Sequence, residues 1–252
     1  PLKYKPFELK SLTTLNKTYF LYTFMPVSDV DDLDGVLPYS PGQHVIITDV
    51  KSNRGKAFAP GNSSISRAYT PISVSLDEHK CSLQFFVKLY ENGRMSSFLK
   101  DLRPTDVIYM RGAFGDFKHE RNSKYVMLCA GTGIAPMYPI IKTILRDERD
   151  ETLVRLCWAC ATLEDVVFRE EIRVFCKFWN FNATIYLSKE SETRVNESLK
   201  YNEDIRPYRI SLDVVKEQAT ENDKILICGS EKFEKDVCEY AKRCGYNNVF
   251  VF

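Results

Sequence analysis

The chain has 252 residues, enough for one large domain or two modest ones, and 44% of them are hydrophobic, enough to bury a sizeable core. The formal net charge of +1 argues against nucleic acid as the main partner, because binding phosphate backbones needs a clear excess of basic residues. No apolar run of about 18 residues is present, so the sequence predicts no membrane-spanning helix, and no signal peptide is visible. The sequence begins with Pro1 and not with methionine, and we expect it to be a piece of a longer protein. Whether that protein has a membrane anchor or a fused domain is left open.

Thiol and metal chemistry are both disfavoured. Several of the eight cysteines lie in apolar runs, as buried free thiols do, namely Cys129, Cys157, Cys160 and Cys228. We therefore expect a reducing compartment and a cytoplasmic location, at the endoplasmic reticulum face if a preceding segment provides an anchor. The CxxC spacing of Cys157 and Cys160 falls in a predicted strand, where positions three apart face opposite sides, so core cysteines are the favoured interpretation. No metal site is expected, since metal-ligand spacing is lacking among His44, His79 and His119.

The first half of the chain reads as short strands separated by turns. Strands are predicted over Thr18–Met25, His44–Asp49, Ala68–Ser73, Ser82–Tyr90 and Val107–Gly112. One helix is predicted over Met95–Leu102, after Gly93 and before Pro104. Most turn-forming residues fall in two loops, Ser28–Gly35 and Lys51–Ser66. Strands at this spacing predict a small antiparallel β-barrel.

The second half alternates strands and helices. Strands are predicted over Tyr125–Ala130, Leu153–Ala161, Ala183–Leu187, Lys224–Cys228 and Val249–Phe252. Helices are predicted over Ala135–Arg146, Asp165–Phe178, Leu212–Gln218 and Glu231–Arg243. This alternation predicts a parallel sheet with helices on both faces. The polar segment 118–124 is the natural linker, which gives predicted domains 1–117 and 125–252.

A glycine turn, Ala130-Gly131-Thr132-Gly133-Ile134-Ala135-Pro136, follows an apolar strand and opens a helix. Its glycines allow a sharp turn and the close approach of a phosphate or a nicotinamide, and the proline suits the first turn of a helix. An ordinary tight turn is the alternative. The turn lacks the third glycine of GxGxxG, and no acidic residue ends the next strand, which disfavours a standard dehydrogenase. Ligands are expected where this turn meets the ends of Ala183–Leu187 and of Lys224–Cys228.

Six motifs stand in a fixed order along the chain. They are Pro41-Gly42-Gln43-His44, Arg67-Ala68-Tyr69-Thr70-Pro71-Ile72-Ser73, Val87-Lys88-Leu89-Tyr90 with Gly93-Arg94-Met95-Ser96, the glycine turn, Cys228-Gly229, and Phe250-Val251-Phe252. From about Pro6 to Phe252 the sequence resembles the cytochrome b5 reductase branch of the ferredoxin–NADP reductase superfamily. The resemblance implies two domains, an antiparallel β-barrel that binds FAD and an α/β domain with a parallel sheet that binds NAD(P).

The resemblance implies that Lys88 takes part in nucleotide binding and that FAD is bound by Arg67, Ala68, Tyr69, Thr70, Ser73, Val87, Tyr90, Gly93, Arg94, Met95 and Ser96. The chemistry of these residue types agrees. Arg67 offers a planar fork for phosphate oxygens, and the helix start at Gly93–Ser96 offers free amides. Tyr69 lies two residues on, shares the strand face of Arg67, and can pack on the ring or the ribityl chain. The alternatives are an exposed strand for Arg67 and Tyr69, core filling for Met95, and a solvated lysine for Lys88.

The resemblance also implies a nicotinamide site. It places Thr132, Pro136 and Cys228 beside the nicotinamide and includes Gly131, Gly133, Gly229 and Phe252 in the nucleotide site. The residues implied at the reacting rings are Thr70, Lys88 and Cys228, none of them as a proton donor. Two positions depart from the family pattern, since Asn92 replaces a glycine and Ser230 replaces a proline. The loop Lys51–Ser66 is also long.

The sequence therefore predicts an enzyme that takes hydride from NADH or NADPH onto FAD and passes single electrons to a haem protein such as cytochrome b5. One alternative is the flavin module of a larger reductase with a fused acceptor, and another is a nucleotide sensor that has lost turnover. The family's NADH-preferring members have an aspartate just past the third strand of the nucleotide domain. Here Ser188 and Lys189 stand at that place, which favours NADPH as a comparable donor. The alternative is that Glu190 takes the acidic role after a shift of one residue in the loop.

Overall fold

The structure, a computed structural model, describes residues 3–27, 39–52, 64–77 and 80–252. The chain forms two compact units, 1–116 and 117–252. The predicted fold class is confirmed, because the first unit carries an antiparallel sheet and the second a parallel sheet with helices. The predicted domain bounds, with a linker at 118–124, stay a prediction. The predicted loop Ser28–Gly35, most of Lys51–Ser66, and His79 lie outside the described residues.

The first unit is a curled antiparallel sheet. Its strands within the described ranges are β1 (Lys5–Thr14), β2 (Tyr19–Pro26), β3 (His44–Ser52), β4 (Ser66–Tyr69), β5 (Pro71–Asp77), β6 (Lys80–Lys88) and β7 (Val107–Phe114), with helix α1 (Arg94–Lys100) before β7. The spatial order is β4-β3-β7-β1-β2-β6-β5. The end strands β4 and β5 are joined by Thr70 alone. The sheet must therefore curl until its two edges approach each other, as in a half-open barrel.

Two predictions for the first unit were wrong. The strand predicted over Ala68–Ser73 is two strands, since β4 pairs with β3 and β5 pairs with β6. Pro71 has no N–H to continue a ladder and restricts the residue before it, which favours a break at Thr70. Strand β1 was not predicted, although Phe7-Glu8-Leu9-Lys10 alternates apolar and polar residues, and in the structure Phe7, Glu8 and Leu9 are all buried.

The second unit is a parallel sheet. Its strands are β8 (Lys124–Ala130), β9 (Leu153–Cys160), β10 (Phe181–Leu187), β11 (Asp204–Arg206), β12 (Lys224–Cys228) and β13 (Val249–Val251). Its helices are α2 (Ile134–Arg146), α3 (Arg169–Phe175), α4 (Glu192–Ser198), α5 (Leu212–Gln218) and α6 (Glu231–Arg243). The order β11-β10-β9-β8-β12-β13 puts β8 where the direction of winding reverses. Ligands of such sheets bind at the carboxyl ends of the strands beside this reversal, here those of β8 and β12.

Helices cover both faces of this sheet, as predicted. Helices α5 and α6 contribute Val214 and Val237 to a core that includes Leu128 and Cys157 of one face. Trp158, next to Cys157 and thus on the opposite face, packs on Phe168 just before α3 with ring centroids 6.3 Å apart. None of the described helices is long and apolar enough to cross a membrane.

Helix and strand bounds in the second unit follow local signals where caps are strong. The predictions for α5, α6 and β12 are confirmed to the residue, and the side chains of Ser211 and Ser230 cap the two helices. The helix predicted over Asp165–Phe178 was wrong at its start, because a 3₁₀ turn at Leu163–Asp165 precedes the shorter α3. Helix α4 and strand β11 were not predicted, since each is short and mostly polar.

Candidate cofactor sites

Arg67 projects from β4 with an exposed side chain. It lies opposite Ile47 of β3, and Tyr69 lies opposite Val45, so both side chains are on one face of the strand. The Arg67 Nη1 donates to the Ser66 carbonyl at 2.9 Å. Within the described ranges Arg67 has no carboxylate partner. Its remaining guanidinium donors are therefore free to bind phosphate oxygens.

Tyr69 and Thr70 lie at the turn from β4 to β5. The half-buried Tyr69 ring packs against the core of the first unit, and burial raises the pKa of its phenol to about 12. Thr70 is half-buried, and among the described residues its backbone N–H and C=O have no backbone partner. Ser73 on β5 is also half-buried, whereas Ala68 is exposed on the opposite face from Arg67. Thr70 thus offers both backbone groups to a ligand at the point where the sheet edges meet.

Lys88 ends β6 among aromatic rings. Its Nζ lies 4.9 Å from the Tyr19 ring centroid and 5.9 Å from that of Tyr90. Tyr90 is 61% exposed, an unusual position for a ring of that size, while Val87 is buried in the core. The exposed Tyr90 ring and the lysine beside it can both contact a planar, anionic cofactor.

Helix α1 begins next to these residues. Ser96 is buried, and its Oγ accepts from the Tyr90 N–H at 3.0 Å. A Cβ at Gly93 would lie 2.9 Å from that Oγ and would displace it from the Tyr90 N–H. In the described part of the chain, the backbone N–H groups of Arg94, Met95 and Ser96 have no backbone acceptor, as at any helix start. The Met95 side chain lies in the core, so a role for Met95 at a cofactor rests on its amide.

The glycine turn of the second unit packs against the end of β12. Gly131 has φ +52° and its carbonyl accepts from the Trp158 Nε1 at 3.0 Å. A Cβ at Gly133 would lie 2.1 Å from the Cys228 carbonyl oxygen, which is backbone and cannot move aside. Helix α2 starts directly after the turn, and Pro136 is buried in its first turn. The turn and the end of β12 therefore form one structure at the reversal point of the sheet.

Cys228 ends β12, directly opposite Cys129 of β8. It is half-buried, and burial, with a smaller effect of the Glu234 carboxylate, raises the pKa of its thiol to about 12. The thiol is neutral at physiological pH. The following amide, the N–H of Gly229, donates to the Glu234 Oε1 at 3.0 Å, and this bond fixes the chain just past Cys228.

Ser188 and Lys189 follow β10 with exposed side chains. Their backbone N–H groups donate to the carbonyls of Cys160 at 3.1 Å and Ala161 at 2.9 Å, so the backbone of this turn is fixed. The Glu190 side chain is only 3% exposed, accepts from the Leu163 N–H at 3.0 Å, and lies 3.5 Å from Arg194. The structure thus separates an exposed Lys189 from a Glu190 whose carboxylate already has partners.

The last predicted site residue, Phe252, and the cysteines and histidines considered in the sequence have the following surroundings. Phe252 is half-buried against Phe250 and Phe117, with ring centroids 4.9 and 5.3 Å away. All eight cysteines are free, and the strand prediction for Cys157 and Cys160 is confirmed. No group of three or more potential metal ligands occurs among the described residues. The two histidines within them instead contact Phe114, in the case of His44, and Tyr125 and Asp150, in the case of His119.

Sequence reasoning missed three residues that shape these sites. Glu234 and Trp158 bind backbone groups of the two turns at the reversal point, and Asp49 of β3 forms an ion pair with Arg94. Glu234 could have been found from its place in the first turn of a helix capped by Ser230. Asp49 and Trp158 carry no local signal, because their partners lie far away in sequence.

Comparison with known proteins identifies the family. A profile described as an oxidoreductase FAD-binding domain matches residues 7–119, and one described as an oxidoreductase NAD-binding domain matches residues 127–239. The "NADH-cytochrome b5 reductase-like" protein of Mus musculus is 30% identical over 261 residues, which cover 100% of this chain and 77% of the mouse protein. The chain belongs to the NADH–cytochrome b5 reductase family.

Other members and structures agree with this assignment. The corresponding Homo sapiens protein is 33% identical over 204 residues, covering 78% of this chain and 60% of the human protein. The cytochrome b5 reductase domain of Ulva prolifera nitrate reductase superposes with a TM-score of 0.78 at 22% identity, over 99% of this chain and 97% of the other. A ferredoxin NADP+ reductase from Neisseria gonorrhoeae with bound FAD and NADP gives 0.77 at 18% identity, over 99% and 98%. At these identities the two structures show the fold alone.

As a member of the cytochrome b5 reductase family, the chain is an oxidoreductase whose cofactors are FAD and a nicotinamide nucleotide. The residues present fit these groups. The first unit offers the Arg67 guanidinium, which has no carboxylate partner within the described residues, and the amides at the start of α1, and the second offers a glycine turn packed on Cys228. The role of each predicted site residue stays a prediction.

Proposed function

We propose that this reductase takes hydride from NADH or NADPH onto FAD and passes single electrons to a haem protein such as cytochrome b5. Membership of the NADH–cytochrome b5 reductase family carries the proposal. The haem acceptor is inferred from the names of the relatives, several of which are NADH–cytochrome b5 reductases. The cytoplasmic location, with attachment at the endoplasmic reticulum through a preceding segment, stays a prediction.

FAD would be held by the first unit. When bound, FAD supplies the change from two-electron to one-electron transfer, which no side chain can perform. Arg67 would bind the pyrophosphate through its free guanidinium donors, together with the amides of Arg94, Met95 and Ser96. Thr70, whose two backbone groups have no backbone partner among the described residues, and the half-buried Tyr69 would bind the flavin side. The exposed Tyr90 ring and Lys88 would complete the site.

The nicotinamide would be positioned by the second unit. Gly133 permits contact between the glycine turn and the Cys228 backbone, and the Glu234 carboxylate fixes the next amide. The Cys228 thiol, kept neutral by its raised pKa, would orient the ring by packing and would not react as a thiolate. The protein's contribution is thus orientation, because no acid or base is needed to move a hydride.

A spectroscopic titration tests the proposed function. The purified protein is expected to be yellow, and its flavin absorbance should bleach on addition of NADH or NADPH without oxygen. Addition of oxidised cytochrome b5 should then restore the flavin spectrum and reduce the haem. A colourless protein would support the sensor alternative, and a bleached flavin that cytochrome b5 does not reoxidise would remove that acceptor.

We also propose that Lys189 accepts the 2′-phosphate of NADPH. Lys189 is exposed on a turn whose backbone is fixed, at the carboxyl edge where the adenine ribose of such nucleotides is bound. The rival candidate, Glu190, has a nearly buried carboxylate that binds the Leu163 amide, which supports Lys189 as the residue facing the ribose. A cation and the Ser188 hydroxyl suit a phosphate and do not repel it.

Replacing Lys189 by aspartate is expected to shift the nucleotide preference towards NADH. The wild type should use NADPH at least comparably to NADH, and Lys189→Asp should lower kcat/KM for NADPH about tenfold or more while sparing NADH, because two negative charges would then meet. The measurement is kcat/KM for both nucleotides in both proteins. Lys177→Asp, at an exposed lysine just past α3, is the matched control. A wild type strongly selective for NADH, or an unchanged ratio in the variant, would remove Lys189 from the site.

A further inference from the structure

The first unit contains a carboxylate that no sequence motif explains. The Asp49 side chain on β3 is 6% exposed and forms an ion pair with the Arg94 Nη2 at 2.7 Å. Its Oδ1 also accepts from the Ile65 N–H at 2.7 Å, and its own N–H donates to the Ile65 carbonyl at 3.0 Å. Burying a carboxylate costs free energy unless it is paired. The ion pair with Arg94 and the hydrogen bond from the Ile65 N–H offset the desolvation of the Asp49 carboxylate.

Asp49 lies close in the sheet to the strand that carries Arg67. Ile47 is the register partner of Arg67, and Asp49 is two residues farther along β3, where it bonds to the backbone of Ile65. The Asp49 carboxylate therefore connects the Arg94 side chain of α1 to the backbone two residues before Arg67.

The Arg94 side chain remains available in this arrangement. It is 55% exposed, and its ion-pair partner within the described residues is Asp49, so a guanidinium with five N–H donors still faces solvent. Arg94 is also the first residue of α1, at the end of the helix where, in the described part of the chain, the backbone N–H groups have no backbone acceptor. The Arg94 guanidinium is thus held by a buried carboxylate and still faces solvent.

We propose that Asp49 is a positioning residue for the FAD pyrophosphate, acting through Arg94. Asp49 restricts the rotamers of Arg94, so less conformational entropy is lost when the guanidinium binds a phosphate oxygen. This inference rests on the proposed function, since it assumes that the first unit binds FAD. It adds a residue whose own carboxylate never touches the cofactor.

The test compares FAD with riboflavin, which has the same ring and no phosphate. The full chain is stripped of flavin, and the Kd of each ligand is measured by quenching of flavin fluorescence. Asp49→Asn is expected to weaken FAD binding about tenfold, the effect of one charge-assisted bond, and to leave riboflavin binding unchanged. Asp49→Glu should restore part of the affinity.

A matched control is Asp106→Asn. Asp106 also accepts from a backbone N–H, that of Arg103 at 2.7 Å, and pairs with a basic side chain, Lys51 at 2.5 Å. The Asp106→Asn variant is expected to bind FAD and riboflavin with the affinities of the wild type. An equal loss of FAD and riboflavin binding in Asp49→Asn would show a merely structural role, and unchanged or tighter FAD binding would also overturn the inference. A wild type that binds no FAD would instead refute the proposed function.

Discussion

The Arg67→Ala variant is expected to purify largely without FAD. Arg67 is exposed on β4, has no carboxylate partner within the described residues, and spends one donor on the Ser66 carbonyl. A charge-assisted bond to a phosphate contributes roughly 1.5–3 kcal/mol, which corresponds to about a 10- to 150-fold weaker Kd. The measurement is the ratio of flavin to protein absorbance after purification, followed by the Kd of added FAD.

Arg103→Ala is the control for this prediction. Arg103 is also an exposed arginine of the first unit, and its Nη1 donates to the carbonyls of Lys100 and Leu102, each at 3.1 Å. This variant should retain flavin like the wild type. Arg67→Lys should fall between the two, because a lysine keeps the charge and loses the planar fork. Full flavin occupancy and an unchanged Kd in Arg67→Ala would defeat the assignment of Arg67 to the pyrophosphate.

The Cys228→Ala variant is expected to keep FAD and to reduce it about 100-fold more slowly. Cys228 ends β12, where the Gly133 turn packs on its backbone, and its neutral thiol would set the position of the nicotinamide. A displacement of about 1 Å at the reacting atoms can cost on the order of 100-fold in rate. Stopped-flow absorbance after mixing with NADH or NADPH measures the rate directly.

Cys176→Ala separates a general effect of removing a thiol from a local one. Cys176 is half-buried like Cys228, but it caps the carboxyl end of α3. This variant is expected to reduce its flavin at the wild-type rate. Reduction of Cys228→Ala at that same rate would return Cys228 to the class of core thiols, together with Cys129 and Cys157.

The sequence by itself determined the two-domain fold class and most elements of the second unit. Helices α5 and α6 and strand β12 match their predictions because serine caps and apolar runs are local signals. The motif Arg67–Ser73 and the glycine turn also pointed to FAD and a nicotinamide nucleotide, which the family assignment supports. These features depend on residues that are close together in the chain.

Only the tertiary structure decided which distant residues meet. The chain passes at Thr70 from one edge of the curled sheet to the other, which follows from strand order and not from the local pattern. The same holds for Asp49 and Arg94, which lie 45 positions apart in the printed numbering and form one ion pair. It also holds for Gly133, which must be glycine because the register of β8 and β12 brings the Cys228 carbonyl against it. Long-range pairing is set by how the sheets close and stack, and no short segment of sequence encodes that geometry.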